Sequence, residues 1–199
     1  MSSLIGHVMG GVVAARTAAG DGMPKQRRGF YALMALASLL PDLDIAVFLL
    51  FKPLEMTPHR GASHSLLFAA GVALVLTLSC ARLVSLPRAR LFGCFFAAYC
   101  SHLILDYLMG SGPAIHFFWP LSEQGYLSPV QLVPTAFYGL SADALIEVLL
   151  HWSTYAGIAL ELAIFVPLLY LPTAKTKSQR VDLLMLAAAG VVATVVFYN

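Results

Sequence analysis

At 199 residues, the chain is 59% hydrophobic and 11% charged, with a mean hydropathy of +0.81, whereas ordinary soluble domains carry roughly 25% charged residues. This composition excludes a water-soluble globule. A formal net charge of +2, scattered and without an Arg-rich or aromatic-interleaved patch, argues against a nucleic-acid partner.

The predicted elements, in chain order, are apolar helices. Leu4 to Ala19 is one of marginal length, with Gly6, Gly10 and Gly11 allowing close helix contact. No positively charged region or cleavage site marks it as a removable leader, so it reads as part of the mature protein. Phe30 to Phe51 has spanning length, since about 20 apolar residues cross the hydrocarbon layer, but Pro41-Asp42-Leu43-Asp44 interrupts it. Ser65 to Leu86, Leu91 to Met109, Leu145 to Leu171 and the shorter Leu183 to Tyr198 complete the series. The expected fold is all-α, a multi-pass transmembrane bundle of about five or six helices in a single domain over 1–199. Its motif-bearing core covers 4–120, and the C-terminal helices cover 144–199. Cys80, Cys94 and Cys100 form no C-x-x-C pair or zinc-ribbon spacing and read as small buried apolar residues.

Loops retained in the cytoplasm carry the Lys and Arg excess. Six crossings place Arg16, Lys25, Arg27 and Arg28, then Arg82, Arg88 and Arg90, then Lys175, Lys177 and Arg180 on one side, although Lys52 and Arg60 fall on the other. The 110–143 connection has no Lys or Arg and reads as an outer, interfacial loop. On this topology His7, Asp42, Asp44, His59, His64, His102 and Asp106 gather at one depth, toward the outer face.

A charge inside a membrane helix costs several kcal/mol unless paired, neutralised or hydrated, so these residues mark a functional site. His102 and Asp106 lie four apart on one helix face and can converge on a metal or simply bond each other. Asp42 and Asp44 sit at a proline break that makes room for water or an ion; either alone could serve as a helix cap. In Pro58-His59-Arg60-Gly61-Ala62-Ser63-His64-Ser65, a polar turn feeds an apolar helix. There His64 sits at a helix N-terminus, Arg60 can fork onto phosphate oxygens, Gly61 permits close backbone approach, and Ser63 or Ser65 can cap or donate. The plainer reading of that turn is an interfacial loop with a snorkelling Arg60. His116 is an additional candidate, and Asp143, Glu147 and His151 form an i, i+4, i+8 stripe that supplies either further ligands or a buried polar seam. Glu161 lies deeper in the same helix, its partner not evident. Histidine and carboxylate donors without thiolates suit zinc first, with manganese or iron as substitutes.

Gly6-His7, Leu40-Pro41-Asp42-Leu43-Asp44, His59 through Ser65, Ser101-His102 through Asp106, and Phe118-Trp119-Pro120, in that order, resemble the YdjM/YbcI-type family of bacterial inner-membrane proteins, described as metal-dependent hydrolases. That family is distantly similar to zinc-dependent phospholipase C and P1 nuclease, all-helical phosphoesterases holding a cluster of zinc ions. The resemblance implies a phospholipase C/P1 nuclease-like core, one to three zinc ions, and His7, Asp42 or Asp44, His59 or His64, and the His102/Asp106 pair as ligands. Those enzymes use a His and then a Glu on a later helix, whereas here Glu147 precedes His151.

The function expected is a membrane-bound metal-dependent hydrolase in which metal-activated water attacks a phosphoester, such as a phospholipid or lipid-linked phosphate. Asp44, His64 and Arg60 are the expected catalytic set, with Arg60 on the substrate phosphate, and membrane lipids are the expected partners. The alternatives are a noncatalytic regulatory or scaffold protein with a structural metal, or an ion or metal transporter, which would need polar residues continuing toward the cytoplasmic side.

Overall fold

Backbone polar groups in a bilayer must be satisfied within the segment that carries them, and the apolar runs accordingly wind into helices. The computed structural model describes residues 3–22, 24, 27–44, 60–134 and 150–199. Among these the α-helices are α1 (Leu4–Ala19), α2 (Arg27–Leu39), α3 (Leu66–Cys80), α4 (Arg88–Leu108), α5 (Trp152–Tyr170) and α6 (Lys177–Tyr198). No strand occurs among the described residues, only an antiparallel bridge between Ile115 and Tyr126 in the connection after α4.

Local chemistry sets the helix ends. Ser3 caps α1 by accepting from the Gly6 N–H, Ser65 caps α3 by accepting from Phe68, and Thr176 with Gln179 forms a capping box at α6. Pro41 converts the end of α2 into a 3₁₀ turn, Leu40–Asp42, so the expected break is present. Three boundaries differ from expectation. α3 stops at Cys80 rather than Leu86, seven residues ahead of the helix-restarting Pro87. α6 begins at Lys177 rather than Leu183, because the capping box starts it within polar sequence. α5 begins only at Trp152, since His151 is extended and caps it through its Nδ1. The Glu147/His151 stripe therefore does not run as one helix face through His151, and Asp143 and Glu147 themselves lie outside the described residues.

Three helical segments, Arg88–Leu108, Trp152–Thr173 and Lys177–Tyr198, are long and apolar enough to cross a membrane; α1 and α3 are shorter apolar helices. α1 packs on α4, α2 and α5, while α3 lies on α4 and α6 on α5. Helices in lipid gain little from apolar burial against each other, so close contact of small residues matters more. Gly11 meets Ser38 of α2, Gly10 meets Leu105 of α4, and Gly22 lies against the Arg90 guanidinium, which makes α1 antiparallel to both partners. Toward the Arg90 end the interior is filled by Ala15, Ala19, Phe30, Met34, Leu91 and Phe95. Arg16 donates to the Leu169 carbonyl at 2.7 Å, bringing the end of α5 to the same side. Glu161, buried in α5, receives both the backbone N–H and the hydroxyl of Ser3, which fastens α5 to the start of α1.

Candidate metal centre

The polar residues meet at the opposite end of the helices from Arg90. His7 comes from the second turn of α1, Asp42 from the 3₁₀ turn after α2, His64 from the 3₁₀ turn Ala62–His64 before α3, and His102 and Asp106 from one face of α4. Asp42, His64, His102 and Asp106 each offer one ligand atom to a common point, all within 4.8 Å of one another. His102 Nε2 is 3.2 Å from Asp42 Oδ1 and 3.7 Å from Asp106 Oδ2, and His64 Nε2 is 3.8 Å and 3.6 Å from the same two oxygens. A tetrahedral zinc ion with bonds of about 2.0–2.1 Å has ligand-to-ligand edges of about 3.3–3.4 Å. Four of the six edges of such a tetrahedron therefore lie within a few tenths of an ångström of that value, and the remaining two lie within 4.8 Å.

Hydrogen bonds on the far side of each ring decide what the rings present inward. His102 Nδ1 lies 2.8 Å from the Ser38 carbonyl oxygen, which can only accept, so Nδ1 carries the proton and Nε2 presents a lone pair. For His64 the same result follows through a serine. Ser63 Oγ donates its one proton to Asp44 Oδ2 at 2.9 Å, so it accepts from His64 Nδ1, also at 2.9 Å, and the Nε2 lone pair turns toward Asp42 and Asp106. Burial lowers the pKa of His64 from its ordinary value, favouring the neutral ring that a metal requires. Asp42 Oδ1, His102 Nε2 and Asp106 Oδ1 are buried without a hydrogen-bonding partner among the described residues. Such atoms are costly to leave bare, and this donor set is the one a divalent cation takes.

Around the four, the remaining candidates take other positions. His7 is fully buried, stacks on the His102 ring with centroids 3.7 Å apart, and places Nε2 3.5 Å from Asp106 Oδ1, at the edge of the group. Asp44 stands one layer out, accepting from Ser63 and from the Arg60 N–H. Arg60, expected to face a phosphate, is buried instead: its Nε is 2.9 Å from Asp106 Oδ2, and its Nη1 donates to the carbonyls of Ser111 and Pro113 at 3.0 and 2.7 Å. The left-handed residue of this turn is also Arg60, with φ 73°, and not the neighbouring Gly61, with φ −78°. A non-glycine residue held there stores roughly 1–3 kcal/mol of strain, retained because the side chain is fixed at three points. His116 approaches the Arg60 carbonyl at 3.4 Å and is not in the group. His151 is exposed at the start of α5, and His59 and Glu147 lie outside the described residues.

Two participants escaped the sequence reading. Ser38 acts through its backbone carbonyl, which no side-chain pattern reports. Ser63 reads in the sequence only as a capping or donating residue, and its link between Asp44 and His64 arises from the fold.

Comparison with known proteins gives two matches. A family profile described as YdjM inner membrane protein matches residues 1–197. Inner membrane protein YbcI of Escherichia coli (strain K12) is 30% identical over 110 residues, covering 53% of this chain and 62% of that protein, so the chain spans less than two thirds of that relative's length. No solved structure matches the chain.

Proposed function

From the premise that the chain belongs to the YdjM family of inner membrane proteins, we propose that it is a multi-pass, metal-dependent hydrolase acting on a phosphoester. The observation that carries this reading is the convergence of Asp42, His64, His102 and Asp106 on one point, two imidazoles and two carboxylates with lone pairs directed inward. These four would hold the ion, zinc by donor type. A divalent cation bound there supplies Lewis-acid chemistry, activating water and polarising a phosphoryl oxygen.

The surrounding residues hold the ligands in place. Ser38 and the Ser63–Asp44 pair fix the two imidazoles, and Arg60 offsets the charge of Asp106. Two carboxylates, Asp42 and Asp106, stand against the single guanidinium of Arg60 at Asp106, a balance that favours a cation. Asp42 is the exposed corner: its side chain is 19% accessible, whereas those of His64, His102 and Asp106 are sealed. Substrate and water would enter on the Asp42 side. The basic residues Arg16 and Arg90 lie at the other end of the bundle, which by the positive-inside rule supports an orientation with the centre toward the outer face. The packed interior of Phe30, Met34, Leu91 and Phe95 beneath the centre argues against a polar transport path.

One observation favours a second reading. Four protein ligands within 4.8 Å of one another match the number in a closed, structural zinc site, whereas catalytic zinc keeps a position open. The deciding experiment is metal analysis of the purified protein together with phosphomonoesterase and phosphodiesterase assays, on wild type, His102→Ala and Asp106→Ala. Metal retained by both variants overturns the ligand assignment. Stoichiometric metal without turnover favours the structural reading. Turnover lost together with metal supports hydrolysis.

A further inference from the structure

Beside the metal centre an apolar groove of about 600 Å³ runs along α3, lined by Leu40, Leu67, Phe68, Gly71, Val75 and Trp119 among others. Its walls are continuous with the ligand-bearing turns. Leu40 opens the 3₁₀ turn that ends in Asp42, and Leu67 and Phe68 follow His64 by three and four residues. The connection bearing Trp119 is fastened to the same corner, since the Leu66 N–H donates to the Phe117 carbonyl at 2.9 Å. Among the described residues no charged side chain lines the groove, so a peptide backbone or a sugar would leave polar groups unsatisfied there. From Leu67 to Val75 the helical rise spans about 12 Å, directed away from the polar end along a helix whose Leu67 and Val75 are 60% and 62% exposed.

We propose that this groove holds an acyl chain of a membrane phospholipid whose headgroup lies at the Asp42 side of the metal centre. The proposal rests on the hydrolase reading for the identity of the headgroup site, and it names the substrate class as a lipid that enters laterally from the bilayer. Gly71 gives the clearest handle. It lines the groove, and a Cβ added there would meet nothing within 4 Å, so a larger side chain fills the groove without disturbing the helix packing.

The test uses the full chain in detergent micelles with Trp152→Phe, which leaves Trp119 as the sole tryptophan. The probe is phosphatidylglycerol with brominated acyl chains, which quench a tryptophan they touch. Saturable quenching of Trp119 is expected, with the apparent Kd raised about tenfold or more by Gly71→Leu as buried methylene contacts are displaced, and with metal content unchanged. Quenching that never saturates and is equal in both proteins means lipid merely solvates the face, and overturns the proposal. A dimeric mass with Trp119 shielded from every brominated lipid overturns it in favour of a second copy of the chain. Saturable quenching without hydrolysis of any phosphoester keeps the groove and removes the hydrolase reading. Hydrolysis of a chainless phosphoester with unsaturable quenching does the reverse.

Discussion

Gly11→Ala tests whether the metal centre depends on the contact between α1 and α2. A Cβ at position 11 would overlap the Ser38 Cβ and come within 2.7 Å of its Oγ and 3.3 Å of the Met34 carbonyl, and the Cβ and the carbonyl are fixed to the α2 backbone. The helices must separate, and overpacking of this kind costs about 1–3 kcal/mol, more than the roughly 0.5–1 kcal/mol that Gly-to-Ala returns in a helix. Moving α2 also moves the Ser38 carbonyl, whose 2.8 Å bond orients His102, and loss of such a support lowers metal affinity about 10–100-fold. Gly10→Ala is the control, because its Cβ would meet the tip of the Leu105 side chain at 2.7 Å, and a leucine can turn away for about 0.5–1.5 kcal/mol. The assay is zinc affinity by chelator competition alongside thermal unfolding. Gly11→Ala should lose both affinity and stability, Gly10→Ala little of either, and Gly11→Ala with Ser38→Gly should regain affinity, since the obstructing side chain goes while the carbonyl stays. Equal affinity in the two single variants, or no recovery in the double variant, refutes the reasoning.

Three further outcomes follow from the same geometry. Ser63→Ala removes the link between Asp44 and His64 and should weaken metal binding about tenfold without changing stoichiometry, as read by chelator competition. Arg60→Met leaves Asp106 buried without its cation and should destabilise the metal-free protein by about 3–5 kcal/mol, with the deficit reduced when zinc is added during thermal unfolding. His64, its pKa lowered by burial, binds fewer protons folded than unfolded near pH 6.5. That part of the stability should be complete above this pH and decline as pH falls through the folded value; zinc occupancy should decline in the same direction, because protons compete for the ring nitrogens.

The legibility of the site follows from how side chains advertise themselves. His102 and Asp106 stood out because two ionisable groups at i, i+4 in an apolar helix have few bland explanations, and the helix places both on the inner face. Asp42 was legible through the proline beside it. Arg60 was not, because a sequence shows an arginine without showing which way it faces, and here it turns inward to Asp106. The role of Ser38 was out of reach, since every helical residue offers a carbonyl and only tertiary packing selects one. Helix boundaries misled where hydropathy outran backbone chemistry: the apolar run passes through His151, but the chain there is extended. At α6 the signal was present, because Thr176-x-x-Gln179 is a capping box preceding an apolar run. Of the three glycines expected to allow close helix contact, Gly6, Gly10 and Gly11, the latter two sit at helix crossings.

A closed set of four ligands and a hydrolytic role are compatible only if one ligand can give way, and the structure differs among the four in this respect. His64, His102 and Asp106 are sealed, and each has a support that resists movement: Ser63 and Asp44, the Ser38 carbonyl, and Arg60. Asp42 is partly exposed, sits on a short turn after a proline, and its Oδ1 has no hydrogen-bonding partner among the described residues. Under the hydrolase reading, three braced ligands would hold an ion while the fourth, Asp42, could yield its place to substrate. The two readings therefore separate on Asp42→Asn. A structural site should lose zinc affinity steeply with this change. A hydrolytic site should keep zinc on the three braced ligands and change instead in turnover, and the same turn begins with Leu40, where the apolar groove starts.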